Sequence, residues 1–299
     1  MNVGFRALFA TLLLSIPFFA AASTPKVVAT IKPIGLIAKD IVGGAGSVDV
    51  LLPPAGSPHD YALKPSDIKK LHQADLVVWV GPEMEIFLQK LLNDHDNTLQ
   101  LTAVEGMPLR YYSGDEEHHD HEEHNHSHDG IDAHIWLGPE QSKVIAKAIS
   151  TALSKVSPEN AATYEANYEK FVQQVNGVEK QLAAALDTKN APGYFLFHDA
   201  YAYFEQAFGL KPTGHFTVNP DRKPGARTLI EIRSALEEKK AKCVFTEPQF
   251  NPAIVESVVK HTHTKTVELD PMAQDINFKT QGYKDFLLDL GSRYETCFE

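Results

Sequence analysis

Residues 164–185 read Tyr164-Glu-Ala-Asn-Tyr-Glu-Lys-Phe-Val-Gln-Gln-Val-Asn-Gly-Val-Glu-Lys-Gln-Leu-Ala-Ala-Ala185. Apolar side chains recur in this stretch at alternating steps of four and three residues, which is the spacing of one face of an α-helix. They are Tyr164, Tyr168, Phe171, Val175, Val178, Leu182 and Ala185. The preceding Ser157-Pro158 pair predicts the helix start, with serine as N-cap and proline as the first helical residue. A helix over 157–187 would be about 45 Å long. That exceeds what one lobe needs, so we expect it to join two lobes.

Strands and helices alternate on both sides of this helix. Apolar or β-branched runs are followed by amphipathic segments in units of about 25 to 30 residues, which is typical of parallel βα units. The run after Asp75 is apolar as far as Val80, as in a sheet covered on both faces. We therefore predict the α/β class, with two similar lobes built on parallel sheets. The predicted divisions are an N-terminal lobe over 23–156, the linking helix over 157–187 and a C-terminal lobe over 188–299.

Residues 1–22 have the form of a secretory signal peptide. A short basic start containing Arg6 precedes an apolar run from Ala7 to Phe19, and Ala20-Ala21-Ala22 offers a small-residue cleavage site. The apolar run is too short for a transmembrane helix. No cysteine lies near the cleavage point, so we expect an exported protein without a lipid anchor.

The composition is that of a folded globular protein with an acidic surface. Of the 299 residues, 43% are hydrophobic, and the formal net charge is −11. This charge argues against nucleic acid as a partner, and it suits a cationic ligand.

The segment 115–129 contains six histidines and seven acidic residues, with no Lys, Arg or apolar side chain. Such a composition cannot form a core and predicts a flexible loop. Imidazole and carboxylate groups are metal donors, but ordering a loop around one ion costs chain entropy. We therefore expect an auxiliary metal-binding loop, with a merely solvated acidic loop as the alternative. Its histidines are His118, His119, His121, His124, His126 and His128.

Three other histidines, His59, His134 and His198, each lie in or beside a junction of a predicted strand and a loop. His134 lies in the alternating, strand-like segment Ile131–Leu137. Ligands of α/β proteins collect beyond the carboxyl ends of strands and between lobes, so the three imidazoles could meet on one ion in an interlobe cleft. Three neutral nitrogens suit Zn²⁺, whereas Mn²⁺ prefers more carboxylate. The alternative for each is an ordinary hydrogen-bonded histidine. The histidines interpreted as surface or packing residues are His72, His95, His215, His261 and His263.

Cys243 and Cys297 are the two cysteines of the chain. In an exported protein an even number favours a disulfide, with two buried free thiols as the alternative. A bridge would close a loop of about 55 residues and stabilise the fold by up to about 4 kcal/mol. It would tie the last predicted helix to the strand that holds Cys243.

Four short stretches carry a resemblance to a known family. They are Ser57–Asp67, Asp132–Leu137, Phe197–Tyr201 and Thr246–Gln249. They resemble the cluster 9 (A-I) family of periplasmic metal-binding proteins of ABC importers, and in particular its high-affinity zinc-uptake type. The acidic, histidine-rich insertion and the two late cysteines match that type as well. The resemblance covers the whole mature chain.

The resemblance implies a periplasmic, monomeric protein with one Zn²⁺ between its lobes, held by His59, His134 and His198. It further implies delivery of that zinc to an inner-membrane ABC permease and its ATPase. Some zinc-type relatives have a glutamate just before the first ligand, but here that position is Pro58. The fourth position would then be taken by water or by Asp270, which matches an acidic ligand of the wider family.

Two other functions compete with this interpretation. A zinc-dependent metallohydrolase is suggested by the run from His124 to Asp129, which faintly resembles a His-x-His-x-Asp-His metal motif, although Gly130 replaces the last histidine. A manganese or mixed-metal carrier would use the same lobes with a different metal.

Overall fold

The fold is seen in a computed structural model. The structure describes residues 24–93, 95–112, 130–186, 191–220 and 223–299. The expected leader at 1–22 and the expected metal-binding loop at 115–129 lie outside the described residues. Within those ranges, none of the helices combines the length and the apolar character that a membrane span requires.

The N-terminal lobe is built on a four-stranded parallel sheet. Its strands are β1 (Lys26–Ala29), β2 (Ser47–Val50), β3 (Leu76–Trp79) and β4 (Thr98–Gln100). They lie in the order β2-β1-β3-β4. The helices of this lobe are α1 (Lys32–Val42), α2 (Pro65–His72), α3 (Ile86–Leu92) and α4 (Pro139–Val156). Strand β3 is buried along its whole length, as a continuously apolar strand in a covered sheet should be.

The predicted linking helix is present as α5 (Ala161–Ala185), which at 1.5 Å per residue is about 37 Å long. It packs against α4 and α1 of the N-terminal lobe. The side chains it buries are Tyr164, Phe171, Val175, Val178 and Leu182, all of them members of the predicted stripe.

The start of this helix differs from the prediction. Pro158–Asn160 forms a separate 3-10 turn, and Ser157 makes no capping hydrogen bond. Its hydroxyl instead donates to Glu159 at 2.9 Å and accepts from the Asn160 amide at 2.8 Å. These local side-chain bonds compete with capping, so the α-helix begins only at Ala161.

The C-terminal lobe repeats the plan of the first. Its strands β5 (Tyr194–His198), β6 (Gly214–Thr217), β7 (Cys243–Thr246) and β8 (Lys265–Glu268) lie parallel in the order β6-β5-β7-β8. Its helices are α6 (Ala202–Phe208), α7 (Ala226–Glu237), α8 (Ala253–Val259) and α9 (Tyr283–Phe298). Helix α9 packs against α5. The prediction of two similar α/β lobes with parallel sheets, joined by one long helix, is confirmed.

One hydrophobic core runs through both lobes. Val78 of β3, Phe171 of α5 and Leu196 of β5 belong to the same buried cluster. Successive residues of a strand point to opposite faces, so Phe195 and Phe197 of β5 face away from this core. They join a second cluster beneath α7 and α8. We call this cluster the outer layer; its members are Phe195, Phe197, Phe216, Ile232, Leu236, Ala241, Val244, Val255 and Val258.

Polar contacts also hold the lobes together. The backbone N–H of Tyr283 donates to Asp40 of α1 at 3.0 Å, and its hydroxyl donates to the Trp136 carbonyl at 2.7 Å. The Trp136 indole in turn donates to the Pro271 carbonyl at 2.8 Å. The N-terminal end of α9 is therefore fixed to the N-terminal lobe.

The predicted disulfide is confirmed. Cys243 of β7 is bonded to Cys297 in the last turn of α9, with a sequence separation of 54 residues. Because α9 packs against the linking helix, the bridge fastens the C-terminal sheet to the element that joins the lobes.

Glu205 of α6 is a buried acid in the shared core. Its Oε1 accepts hydrogen bonds from Tyr194 at 2.6 Å and from Tyr294 at 3.4 Å. Burial raises its pKa to about 7, whereas an unfolded chain has a glutamate pKa of about 4.3. The native state therefore binds more protons between those two values. The contribution of Glu205 to stability is full below about pH 4 and is lost as the pH rises towards 7.

We expect the Glu205→Gln variant, which stays neutral at every pH, to gain stability relative to the parent as the pH rises. The difference in the free energy of unfolding between variant and parent should grow by up to about 1.4 kcal/mol per pH unit between the unfolded and the native pKa of Glu205. Urea unfolding of both metal-free proteins between about pH 5 and pH 7 measures the difference. A difference that does not change with pH would contradict the assignment.

Candidate metal centre

The three histidines predicted as ligands come together between the lobes. His59, His134 and His198 each offer a ring nitrogen, and these nitrogens lie within 4.8 Å of one another. The ring centroids are 5.4 Å apart for His59 and His134, 5.7 Å for His59 and His198, and 5.2 Å for His134 and His198. In the part of the chain that the structure describes, no other group of three or more His, Cys, Asp or Glu residues is arranged in this way.

His59 comes from the loop that follows β2. Its backbone N–H donates to the Ser57 hydroxyl at 3.2 Å, and the preceding Pro58 is buried and fixes its own backbone φ angle. Burial lowers the pKa of His59 well below its usual value, and the nearby His134 and His198 lower it further. The ring is therefore neutral at neutral pH, as a metal ligand must be.

His134 is positioned by Asp132. The carboxylate Oδ1 of Asp132 lies 2.8 Å from Nδ1 of His134 and also accepts the His134 backbone N–H at 3.1 Å. The strand predicted over this segment is wrong. Only Ile131 forms an isolated bridge, with Tyr111, and residues Ile135–Leu137 form a buried 3-10 turn. Since all three residues of the turn are buried, the apparent alternation in the sequence does not separate two faces.

His198 is the last residue of β5 and is positioned by Glu247, which follows β7. Oε1 of Glu247 lies 2.7 Å from Nδ1 of His198, and both side chains are almost fully buried. Parallel strands β5 and β7 are neighbours in the sheet, so their carboxyl ends place the two side chains side by side.

These carboxylates determine which nitrogens face the centre. An ionised carboxylate only accepts hydrogen bonds, so a histidine that donates from Nδ1 to its carboxylate turns an Nε2 with a free lone pair towards the centre. The Nε2 atoms of His134 and His198 lie 3.3 Å apart. Two nitrogens bound to zinc at about 2.0–2.1 Å, at the tetrahedral angle, are separated by about 3.3 Å. The donor set therefore fits one Zn²⁺ ion, which would also relieve the repulsion between the lone pairs.

Arg110 connects the two lobes beside the centre. Its guanidinium donates to Oδ2 of Asp132 at 2.9 Å and lies 3.8 Å from Oδ2 of Asp199. Asp132 also holds His134, and Asp199 directly follows His198. Tyr203 of α6 donates to the Asp132 carbonyl at 2.7 Å and accepts the Arg110 backbone N–H at 2.8 Å. These contacts fix the two halves of the ligand set relative to each other.

The centre is small and covered by apolar side chains. A cavity of about 10 Å³ lies against the three rings, which is roughly the room that one water-sized species needs. The Trp136 ring lies 5.3 Å from His134, and the Phe250 ring lies 6.1 Å from His198. Pro271 and Met272 complete the cover. The enclosure leaves space for one small ligand besides the imidazoles.

Asp270 lies outside the group of three. Its Oδ1 accepts hydrogen bonds from the Gln249 amide at 2.7 Å and from the Met272 backbone N–H at 2.9 Å, and its Oδ2 accepts the backbone N–H of Gln274. Both oxygens are thus engaged in holding the turn that carries Pro271 and Met272 over the centre. That Asp270 is the fourth ligand stays a prediction.

Sequence reasoning assigned no role to Arg110 or Glu247. The position of Glu247 could have indicated a role in the site. The residue directly follows a predicted strand that ends at Thr246, and ligands collect beyond the carboxyl ends of strands. Arg110 carried no such signal, because only folding brings it beside its partners Asp132 and Asp199.

Comparison with known proteins places these features in a family. The family described as zinc-uptake complex component A, periplasmic, matches residues 27–293. The high-affinity zinc uptake system protein ZnuA of Yersinia pestis is 42% identical, over 98% of this chain and 96% of that protein. The protein of the same name from Haemophilus ducreyi is 36% identical, over 91% of this chain and 92% of that protein.

Solved structures share the fold. A crystal structure of ZnuA superposes with a TM-score of 0.78 at 23% identity, covering 93% of this chain and 100% of that chain. A zinc-bound deletion mutant of ZnuA superposes with a TM-score of 0.77 at 23% identity, covering 93% of this chain and 99% of that one. With a family match over most of its length and a relative 42% identical from end to end, the chain belongs to the periplasmic zinc-uptake complex component A family.

Proposed function

We propose that this protein captures one Zn²⁺ ion in the periplasm and delivers it to an inner-membrane ABC permease and its ATPase. His59, His134 and His198 are the ligands, and one water-sized species takes the fourth position. The mature protein is an unlipidated monomer. The observation that carries the proposal is the convergence of three ring nitrogens within 4.8 Å of one another. Two of them, the Nε2 atoms of His134 and His198, lie 3.3 Å apart, which is the separation expected of two ligands on one zinc ion.

The donor set supports zinc over manganese. Within the described residues the group contains three imidazole nitrogens and no carboxylate oxygen, and imidazole suits zinc while oxygen donors suit manganese. The relatives from Yersinia and Haemophilus are named as zinc uptake proteins.

The size of the centre supports binding rather than catalysis. A hydrolytic zinc site must admit a substrate beside its activated water. A cavity of about 10 Å³ under an apolar cover has no room for an organic substrate. This argument weighs against the metallohydrolase suggested by the run at His124–Asp129, a segment that lies outside the described residues.

The acidic loop at 115–129 is proposed to gather further zinc and to pass it inwards. Its described ends support this role. The Tyr112 backbone N–H donates to the Gly130 carbonyl at 3.0 Å, and the Tyr112 hydroxyl donates to Oδ1 of Asp132 at 3.3 Å. The described residues that flank the segment, Tyr112 and Gly130, therefore lie beside the carboxylate that orients His134.

A zinc titration against a competing chelator tests this division of roles. We expect the mature protein lacking 115–129 to keep one tight zinc site and to lose the weaker ones, because the three ligands stand on the folded lobes. A tenfold excess of Mn²⁺ should not displace the tight zinc, since zinc lies above manganese in the affinity order of such ligands. Tight binding that disappears with the loop would instead indicate a histidine-rich metal buffer on an α/β scaffold.

A further inference from the structure

We propose a second, weaker metal site at the far end of the N-terminal lobe, formed by His72 and His95 and taking Zn²⁺ or another divalent transition metal. The sequence suggested two unrelated surface histidines. The structure brings their rings together, with centroids 4.7 Å apart and planes inclined by 57°. The ring pairs of the central site have centroids 5.2 to 5.7 Å apart, so the two rings of this pair lie at least as close together.

The two histidines are held by connected turns. His72 is the last residue of α2, and His95 lies in the turn between α3 and β4. The Asn97 side-chain amide donates to the Ala74 carbonyl at 2.6 Å, which ties one turn to the other. The Thr98 hydroxyl donates to the His95 carbonyl at 3.2 Å. Because the fold already fixes both backbones, binding an ion would order only the two rings, and preorganised ligands bind more tightly than flexible ones.

The helix ends near the pair suit a cation, although Lys69, Lys70 and Lys90 also lie in the last turns of α2 and α3. Both imidazoles lie at or just beyond the carbonyl ends of helices, where the helix dipole attracts positive charge. Asp75 and Asp96 are close in sequence, at three residues after His72 and directly after His95. His72 is exposed and His95 is half-buried, so an ion can reach the pair from solvent and leave again.

This site is separate from the central one. Helix α2 leads into β3 and α3 leads into β4, so the pair lies at the amino ends of the strands. Of the central histidines, His59 follows β2 and so lies beyond the opposite, carboxyl ends of this sheet, and His198 ends β5 of the other sheet. Two imidazoles also supply one donor fewer than the central site, which leaves the remaining positions to water. We therefore infer a site that exchanges its ion and fills only after the central site is full.

Histidine modification with diethyl pyrocarbonate, read by mass spectrometry, tests the proposal on the whole mature protein. The reagent attacks unprotonated ring nitrogens, and a bound ion blocks them. With zinc at about ten times the dissociation constant of the pair, we expect the labelling rates of His72 and His95 to fall together by about tenfold, since the free fraction is set by mass action. One equivalent of zinc should leave both rates unchanged, and Mg²⁺ should have no effect.

The His95→Gln variant provides the matched control. It removes one imidazole of the pair and should abolish the zinc protection of His72, while His261, exposed in the C-terminal lobe, keeps its labelling rate throughout. Unchanged labelling of His72 in excess zinc would overturn the proposal. So would protection of His72 that persists in His95→Gln.

Discussion

Replacing His134 with alanine is expected to remove tight zinc binding, with the affinity falling by roughly 100- to 1,000-fold. Zinc binding to four-ligand protein sites is worth about 10–16 kcal/mol, or about 2.5–4 kcal/mol per ligand, and each 1.4 kcal/mol is a factor of ten. Two features of this site make a large loss of zinc affinity expected. The substitution removes one nitrogen of the 3.3 Å pair and leaves the Asp132 carboxylate without its imidazole partner.

Chelator competition measures the affinity, and thermal unfolding of the metal-free variant checks that it still folds. His215→Ala serves as the control, because it removes an imidazole from β6, next to β5, that is not a member of the ligand group. If the folded His134→Ala protein bound zinc with the same affinity as the parent, the ion would be held elsewhere.

Glu247→Gln is expected to weaken zinc binding by about 10- to 100-fold, the usual effect of removing a carboxylate that orients a metal-bound histidine. The amide has nearly the same volume as the carboxylate, so packing is kept. What changes is the charge beside His198 and the preference for a proton on Nδ1. Glu247 acts as a positioning residue, since it reaches the ion only through the imidazole.

Two readouts separate this role from a merely structural one. Nitrogen NMR of the His198 ring should show a smaller fraction of the Nδ1-protonated tautomer in Glu247→Gln. The same substitution at Glu256, which is exposed on α8, should leave both the spectrum and the affinity unchanged. A Glu247→Gln protein with parent affinity and an unchanged ring signal would refute the assignment.

The linking helix and the three histidines could be predicted because their signals are local. A stripe of apolar residues at helical spacing can be recognised without knowing which elements the helix packs against. A histidine at a strand end lies where ligands collect. The helix start was missed for an equally local reason, because Ser157 satisfied its hydroxyl with Glu159 and Asn160. The strand predicted around His134 failed because three successive buried residues gave a false alternation.

The remaining features of the centre depend on tertiary pairing. Glu247 and His198 are 49 residues apart in the chain, and no periodicity connects them. Asp270 resembles a ligand in sequence, but in the structure its two oxygens accept hydrogen bonds from Gln249, Met272 and Gln274. Only the folded chain reveals that this acid holds the turn that covers the centre.

The outer layer has a consequence for how the ion could leave. Stability is not uniform in a fold, and small clusters open at lower free energy than the main core. Phe250, which packs against the outer layer, stacks on Phe197 at 5.2 Å and covers His198 at 6.1 Å. A local unfolding of α7 and α8 would therefore move the Phe250 ring away from the metal centre. The shared core, the disulfide and α5 would keep the lobes joined. Metal release in this architecture need not involve a hinge between lobes.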